Sequence, residues 1–185
     1  MRAIVSMLRA VNLGAHNRVS MEALRTLYGS LQLRDARTYV QSGHVVFRTS
    51  ASDLPKLARK IEDGIERTFG FRTQTILRTA SEMRETIANN PFAGRAGIEP
   101  AKLLVTFLAA QPGETACEQI RRLKTDPEEV SIRGREIYIY FPNGAGRSKL
   151  SWMKMEKMLA TPGTARNWNS VTKLLEMAES LETSA

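Results

Sequence analysis

The order strand, helix, hairpin, helix, strand is written twice along this chain, and that repetition restricts the fold more than any single motif does. Two hairpins carry it. TYVQSGHVVF at 38–47 and VSIRGREIYIYF at 130–141 each set a glycine between β-rich arms, where its backbone freedom suits a tight turn. Ahead of the first hairpin, residues 3–8 predict a strand, which runs into a polar loop over 9–20 that is longer than turning requires. Ser20 then stands at an N-cap position before Met21, Leu24, Leu27, Tyr28 and Leu31, which recur at helical spacing. After the hairpin, Asp53 or Ser52 is placed to cap a helix whose apolar positions Leu54, Leu57, Ile61 and Ile65 step by three or four. Gly70 closes it before a strand expected over 72–78.

The first half therefore reads βαββαβ. A short helix over 81–89 and the turn-rich stretch PFAGRAGIEP follow, and the linker is expected there. The second half repeats the order with a strand over 102–109, a helix over 115–123, the hairpin turning at Gly134 and a helix over 149–159 capped by Ser148. TPGTARN supplies the last strand, and an amphipathic helix over 169–181 closes the chain. The expected class is α+β: two tandem ferredoxin-like βαββαβ halves with a C-terminal helix, divided as 1–79, 80–100 and 101–185. Residue identity between the halves is poor, so the duplication is read from element order.

Composition narrows the setting. Cys117 is the only cysteine, which rules out an internal disulfide, and no apolar run approaches the length of a membrane span. A reducing, cytoplasmic location without membrane association is expected. The net charge is +8, with 19 arginines among 27 basic residues, which favours anionic partners. Those residues are scattered singly, however, and a solvated surface explains them as well as a binding patch does.

In ferredoxin-like topology the first and second strands run parallel, so the loop after strand one and the turn after strand two meet at one sheet edge. Arg9, Asn12, His16, Asn17 and Arg18 would then face Gln41, Ser42 and His44. Guanidinium forks, amide donors and a helix N-terminus together suit a phosphate or carboxylate. The competing explanation is that the polar groups satisfy the backbone of a long loop.

Other motifs carry less. His16 and His44 are the only histidines, and no Cys or acid stands beside either at ligand spacing, so neither a metal nor a cofactor is expected; both read as surface histidines. Ser42 lacks the strand-to-helix elbow of a nucleophilic serine. Cys117 reads as a structural helix residue. The segment 143–149, NGAGRSK, joins a strand to a helix with two glycines but fails the GxxxxGK[ST] phosphate-loop pattern. In the segment 164–170, TARNWNS, Trp168 is placed to stack on a ring or to pack at a helix start, whereas Trp152 reads as core.

Five ordered motifs, LRAVNLGAHNRVSMEALRTLYGSL, TYVQSGHVVF, the NNPF at 89–92, GRSKL and TARNWNSVTKLLEMA, together resemble the bacterial family catalogued as domain of unknown function 1697. The resemblance implies that LRGINVGG and YIQSGN are the usual forms of the first two motifs. Arg9, Asn12, Gly14, Gln41, Ser42 and Gly43 fit them, while Ala10, Ala15 and His44 depart. Two alanines where glycines are usual add methyl groups to a loop whose amides would otherwise approach a ligand closely. The last motif is similar to the family's TxRNWNTVxKL. It keeps Arg166, Asn167, Trp168 and Asn169 in register with Ser170 in place of threonine. The resemblance implies a fold and no reaction.

The leading expectation is a binding module for a phosphorylated or other anionic small ligand at the first-half edge. Its residues are Arg9, Asn12, His16, Arg18, Gln41, Ser42 and His44, with Arg166, Asn167 and Trp168 as a late segment able to close the site. Nucleic-acid binding across the open sheet faces is the second reading, although no RNP signature is present. An enzyme using His16 or His44 as a general base is the third, and a structural or dimerising protein the fourth.

Overall fold

A computed structural model describes residues 1–14 and 16–183. The first repeat consists of β1 (Arg2–Leu8), α1 (Met21–Ser30), β2 (Arg34–Tyr39), β3 (His44–Thr49), α2 (Leu54–Phe69), β4 (Thr75–Thr79) and α3 (Ala80–Ala88). The second consists of β5 (Leu103–Leu108), α4 (Glu114–Arg121), β6 (Glu129–Arg133), β7 (Glu136–Tyr140), α5 (Trp152–Leu159), β8 (Gly163–Asn167) and α6 (Trp168–Thr183). Each repeat builds a four-stranded sheet, in the orders β2-β3-β1-β4 and β6-β7-β5-β8. Every pairing is antiparallel, so β1 and β2 run parallel. The expected α+β architecture of two tandem βαββαβ halves is therefore the one found.

Local chemistry sets the helix ends. Ser20 and Asp53 accept hydrogen bonds from the backbone N–H groups of Ala23 and Lys56 at 3.1 and 2.8 Å, so each satisfies a donor that a helix start leaves unpaired. Gly70 ends α2 in the left-handed region at φ 77°. The 149–159 expectation needs correction at its start: Ser148 accepts from Leu150 N within a turn, and Ser151 caps α5 by accepting from Lys154 N. The helix begins at Trp152, directly after its Ser151 cap, and buries Met155 and Leu159.

In the first unit α1 and α2 cover one face of the sheet. Leu24, Leu27, Ile61 and Ile65 meet Ile4, Val45 and Phe47 in one apolar cluster. Tyr28 packs edge-to-face on Phe47 at 5.4 Å, and its hydroxyl shares a 2.7 Å hydrogen bond with Ser6 Oγ. Burial pushes that phenol well above its ordinary range, and the Ser6 bond opposes the shift only partly, so Tyr28 stays neutral. In the second unit α4 and α5 cover the corresponding face, with Cys117, Ile120, Ile137, Ile139, Met155 and Leu159 at the core. A Cβ on Gly163 would come within 2.8 Å of the Trp152 ring and 2.9 Å of Thr106. Gly163→Ala is expected to cost about 1–3 kcal/mol through overpacking, read from urea unfolding of the two proteins.

Two compact units result: Met1–Arg84 together with the chain from Lys173 onward, and Glu85–Thr172. The division runs through α3 and α6. The turn-rich stretch expected as the linker belongs wholly to the second unit. It is held there because Phe92 is buried beside Tyr140, the Tyr140 hydroxyl donates to Gly97 O at 3.1 Å, and Arg95 forms a forked pair with Glu129.

The duplication is visible in register. Val5 pairs with Arg78 and Leu8 with Thr75 in the first sheet; Val105 pairs with Arg166 and Leu108 with Gly163 in the second. Each fourth strand runs directly into a helix capped by its own last residue. Thr79 Oγ1 accepts from Glu82 N while the Glu82 carboxylate accepts from Thr79 N, a capping box. Asn167 Oδ1 accepts from Ser170 N at 2.9 Å. With the helices expected over 81–89 and 169–181 counted in, the structural repeat is βαββαβα.

Candidate functional site

The antiparallel pairings of β1 with β3 and β4 bring the end of β1, the β2–β3 turn and the start of β4 to one edge. Backbone bonds tie them together: Leu8 N donates to Gly43 O at 3.0 Å and Arg9 N to Gln74 O at 2.9 Å. Thr73 Oγ1 donates to Arg9 O.

Asn12 is the clamp of this edge. Its Nδ2 donates to Val19 O at 3.0 Å and to Gln41 O at 2.9 Å, and its Oδ1 accepts from Val19 N at 2.8 Å. One side chain thereby closes the loop on itself and fastens it to the turn. Asn17 Nδ2 bonds Ala10 O in the same way. The loop and turn need such fastening because Ala10, Asn12, Asn17 and Val40 are non-glycine residues in the left-handed region, at φ 47–54°. Ala10 and Val40 cost about 1–2 kcal/mol each there and the asparagines less, and strain of this kind persists only where the surroundings over-determine it.

The predicted residues consequently divide into two groups. Asn12, Ser42 and His44 hold the backbone. Ser42 Oγ and His44 Nδ1 share a hydrogen bond at 2.9 Å, and the His44 ring stacks over Tyr39 with centroids 6.3 Å apart. His44 is only 1% exposed, which corrects the expectation of a surface histidine. It is the first residue of β3 and lies on the same face as Val46, which is also buried. Arg9, His16, Arg18 and Gln41 are the presented group. Arg9 is half-buried and donates to Gln74 Oε1 at 3.0 Å, while His16, Arg18 and Gln41 are exposed. Beside them Leu13 and Val40 are 68% and 55% exposed. The edge therefore offers cations and an amide around a small apolar tip. Ala15 lies outside the described residues.

Arg166, Asn167 and Trp168 belong to the second unit. Arg166 Nη1 donates to Thr164 Oγ1 and to Ala165 O, each at 2.7 Å. Burial pushes its guanidinium down to about 10, so it remains a cation at neutral pH. Asn167 is the cap of α6, and Trp168 begins that helix half-buried.

Sequence reading missed Arg78, which is 1% exposed and the largest fully buried side chain. Its Nη1 donates to Leu77 O at 3.0 Å. An arginine in a strand reads as solvent-facing, and only its register opposite Val5 marks it as internal. Among the described residues no group of three or more His, Cys, Asp or Glu side chains is arranged to hold a metal ion. No helix among them is long and apolar enough to cross a membrane.

The sheet orders and clamped edges define an α+β protein of two ferredoxin-like repeats. A conserved bacterial protein from Streptococcus pneumoniae has the same fold, with a TM-score of 0.70 over 96% of this chain and 98% of its own at 20% identity. Residues 1–138 match the family described as protein of unknown function, DUF1697, and the chain belongs to that family. The GRSKL and TARNWNS motifs lie beyond the matched span. No curated protein matches the chain.

Proposed function

We propose that this protein is a cytoplasmic binding module for a phosphorylated or otherwise anionic small ligand, held at the edge formed by the 9–20 loop and the β2–β3 turn. The observation that carries the reading is the Asn12 clamp on a backbone with four left-handed non-glycine residues. Stability is spent there to fix the backbone that carries Arg9, Arg18, His16 and Gln41, and a preorganised loop lowers the ordering cost of binding. Arg18 supports it further. It is exposed and makes no side-chain hydrogen bond or ion pair among the described residues, so its five donors remain available for an oxyanion. The free, buried thiol of Cys117 accords with a reducing compartment.

The face of the first sheet opposite α1 and α2 is buried, which favours a small ligand over a nucleic acid. Val5, Met7, Val46 and Ile76 occupy that face of the first sheet and are at most 2% exposed, whereas base stacking needs accessible aromatic rings.

Thermal-shift screening against inorganic phosphate, sugar phosphates, nucleotides and carboxylates is the test. A ligand at about a hundred times its Kd should raise Tm by about 5–10 °C. That rise should disappear in Arg18→Ala and Arg9→Ala. A flat screen, or a shift that both variants retain, overturns the proposal.

A further inference from the structure

The second unit contains a cavity of about 220 Å³ between the end of α4 and the start of α5, distant in sequence from the residues of the proposed anion edge. Five charges line it. Lys124, Asp126 and Glu128 come from the loop before β6, and Lys149 and Lys154 come from the approach to α5 and its first turn. The two walls differ in sign: the loop wall carries two carboxylates and one ammonium, and the α5 wall carries two ammonium groups and no acid. The floor is apolar, with Met155 and Met158 among its residues, and Met155 is buried in the second core.

Opposite charges on neighbouring surface side chains form ion pairs where nitrogen and oxygen come within about 4 Å. Here none of the five forms an ion pair or a side-chain hydrogen bond among the described residues. The loop is closed separately, by Thr125 Oγ1 donating to Glu128 O at 2.7 Å. The cavity therefore separates a carboxylate wall from an ammonium wall, and each would gain from a ligand that spans the gap with its own charges reversed. A volume of about 220 Å³ lies below the roughly 300–1,000 Å³ range of sites for drug-sized molecules, so the ligand is small.

We infer that this cavity binds a free α-amino acid with an aliphatic or thioether side chain. Lys149 and Lys154 take its carboxylate, Asp126 and Glu128 take its ammonium, and the side chain lies on the methionine floor. Both ends must be charged. A ligand carrying both charges pairs with both walls, whereas one carrying only the carboxylate or only the ammonium pairs with one of them.

Isothermal titration of the full chain with leucine and methionine tests this, with N-acetyl-leucine and leucinamide as the singly charged comparisons. The expected result is saturable binding of the free amino acids, weakened at least about tenfold by either blocking group. Binding should be lost in the Lys149→Gln/Lys154→Gln double variant and in Asp126→Asn. These positions are exposed, so a matching thermal unfolding curve separates lost binding from lost folding. Arg9→Ala should bind amino acids as the parent does, which keeps this inference independent of the anion edge. No heat up to about 10 mM leucine or methionine, well above the roughly 1 mM that already corresponds to weak binding, overturns the inference. So does equal binding of N-acetyl-leucine, or binding that survives in both cavity variants.

Discussion

Gly43→Ala is expected to destabilise the protein by about 2–5 kcal/mol, the sum of roughly 1–2 for a left-handed residue with a Cβ and roughly 1–3 for overpacking. Gly43 has φ 71°, and a Cβ there would come within 2.4 Å of Val11 Cγ2 and 3.0 Å of Leu8 Cβ. Neither neighbour has room to move, because Val11 and Leu8 are 4% and 1% exposed and both belong to the first core cluster. Gly70 provides the comparison. Its φ is 77° and nothing lies within 4 Å of the position a Cβ would take, so Gly70→Ala should cost only about 1–2 kcal/mol. Urea unfolding of the two variants separates the steric part from the backbone part. Equal losses would mean that the turn does not press against β1 as described.

Arg78→Ala is the second large effect, expected at about 2–5 kcal/mol from truncating a fully buried side chain. The loss also takes a donor from Leu77 O, and a buried carbonyl deprived of a donor adds a desolvation cost. Arg78→Met, which keeps most of the volume without the guanidinium, should lose less. Its shortfall against the parent measures what the polar contacts contribute beyond packing. An Arg78→Ala protein with an unchanged urea midpoint would show that the guanidinium is not built into the fold.

These two residues also show where sequence reading reaches and where it stops. Ser20, Asp53 and Gly70 were legible because a cap or a left-handed terminus is decided by residues three or four positions away. Gly43 was legible as a turn residue, but its pressure on Val11 depends on a pairing across more than thirty residues. Arg78 was missed for a related reason: burial of a charged residue is a property of which face its strand presents, and register sets that face. The edge was predicted in the right place, because parallel β1 and β2 follow from topology alone. What topology could not supply was the division of labour among its side chains. Asn12 has the same donors whether it faces a ligand or Gln41 O, and only the folded loop shows that its amide is committed to the backbone. His44 looked exposed because it follows a turn, yet it opens β3 on a buried face. Ser148 and Ser151 stand three residues apart and either hydroxyl can cap a helix, and only the folded chain shows Ser151 accepting from Lys154 N.

The passage of the unit division through α3 and α6 has a consequence for how the chain is made. The first unit is not complete at Arg84, since it also includes the chain from Lys173 onward. A ribosome adding roughly 5–20 residues per second must synthesise all of Glu85–Thr172 before that segment emerges. For those seconds the β-sheet that carries the candidate edge exists as a nascent structure without its last piece. Its maturation is therefore timed by the emergence of the segment from Lys173 onward, not by the end of its own strands.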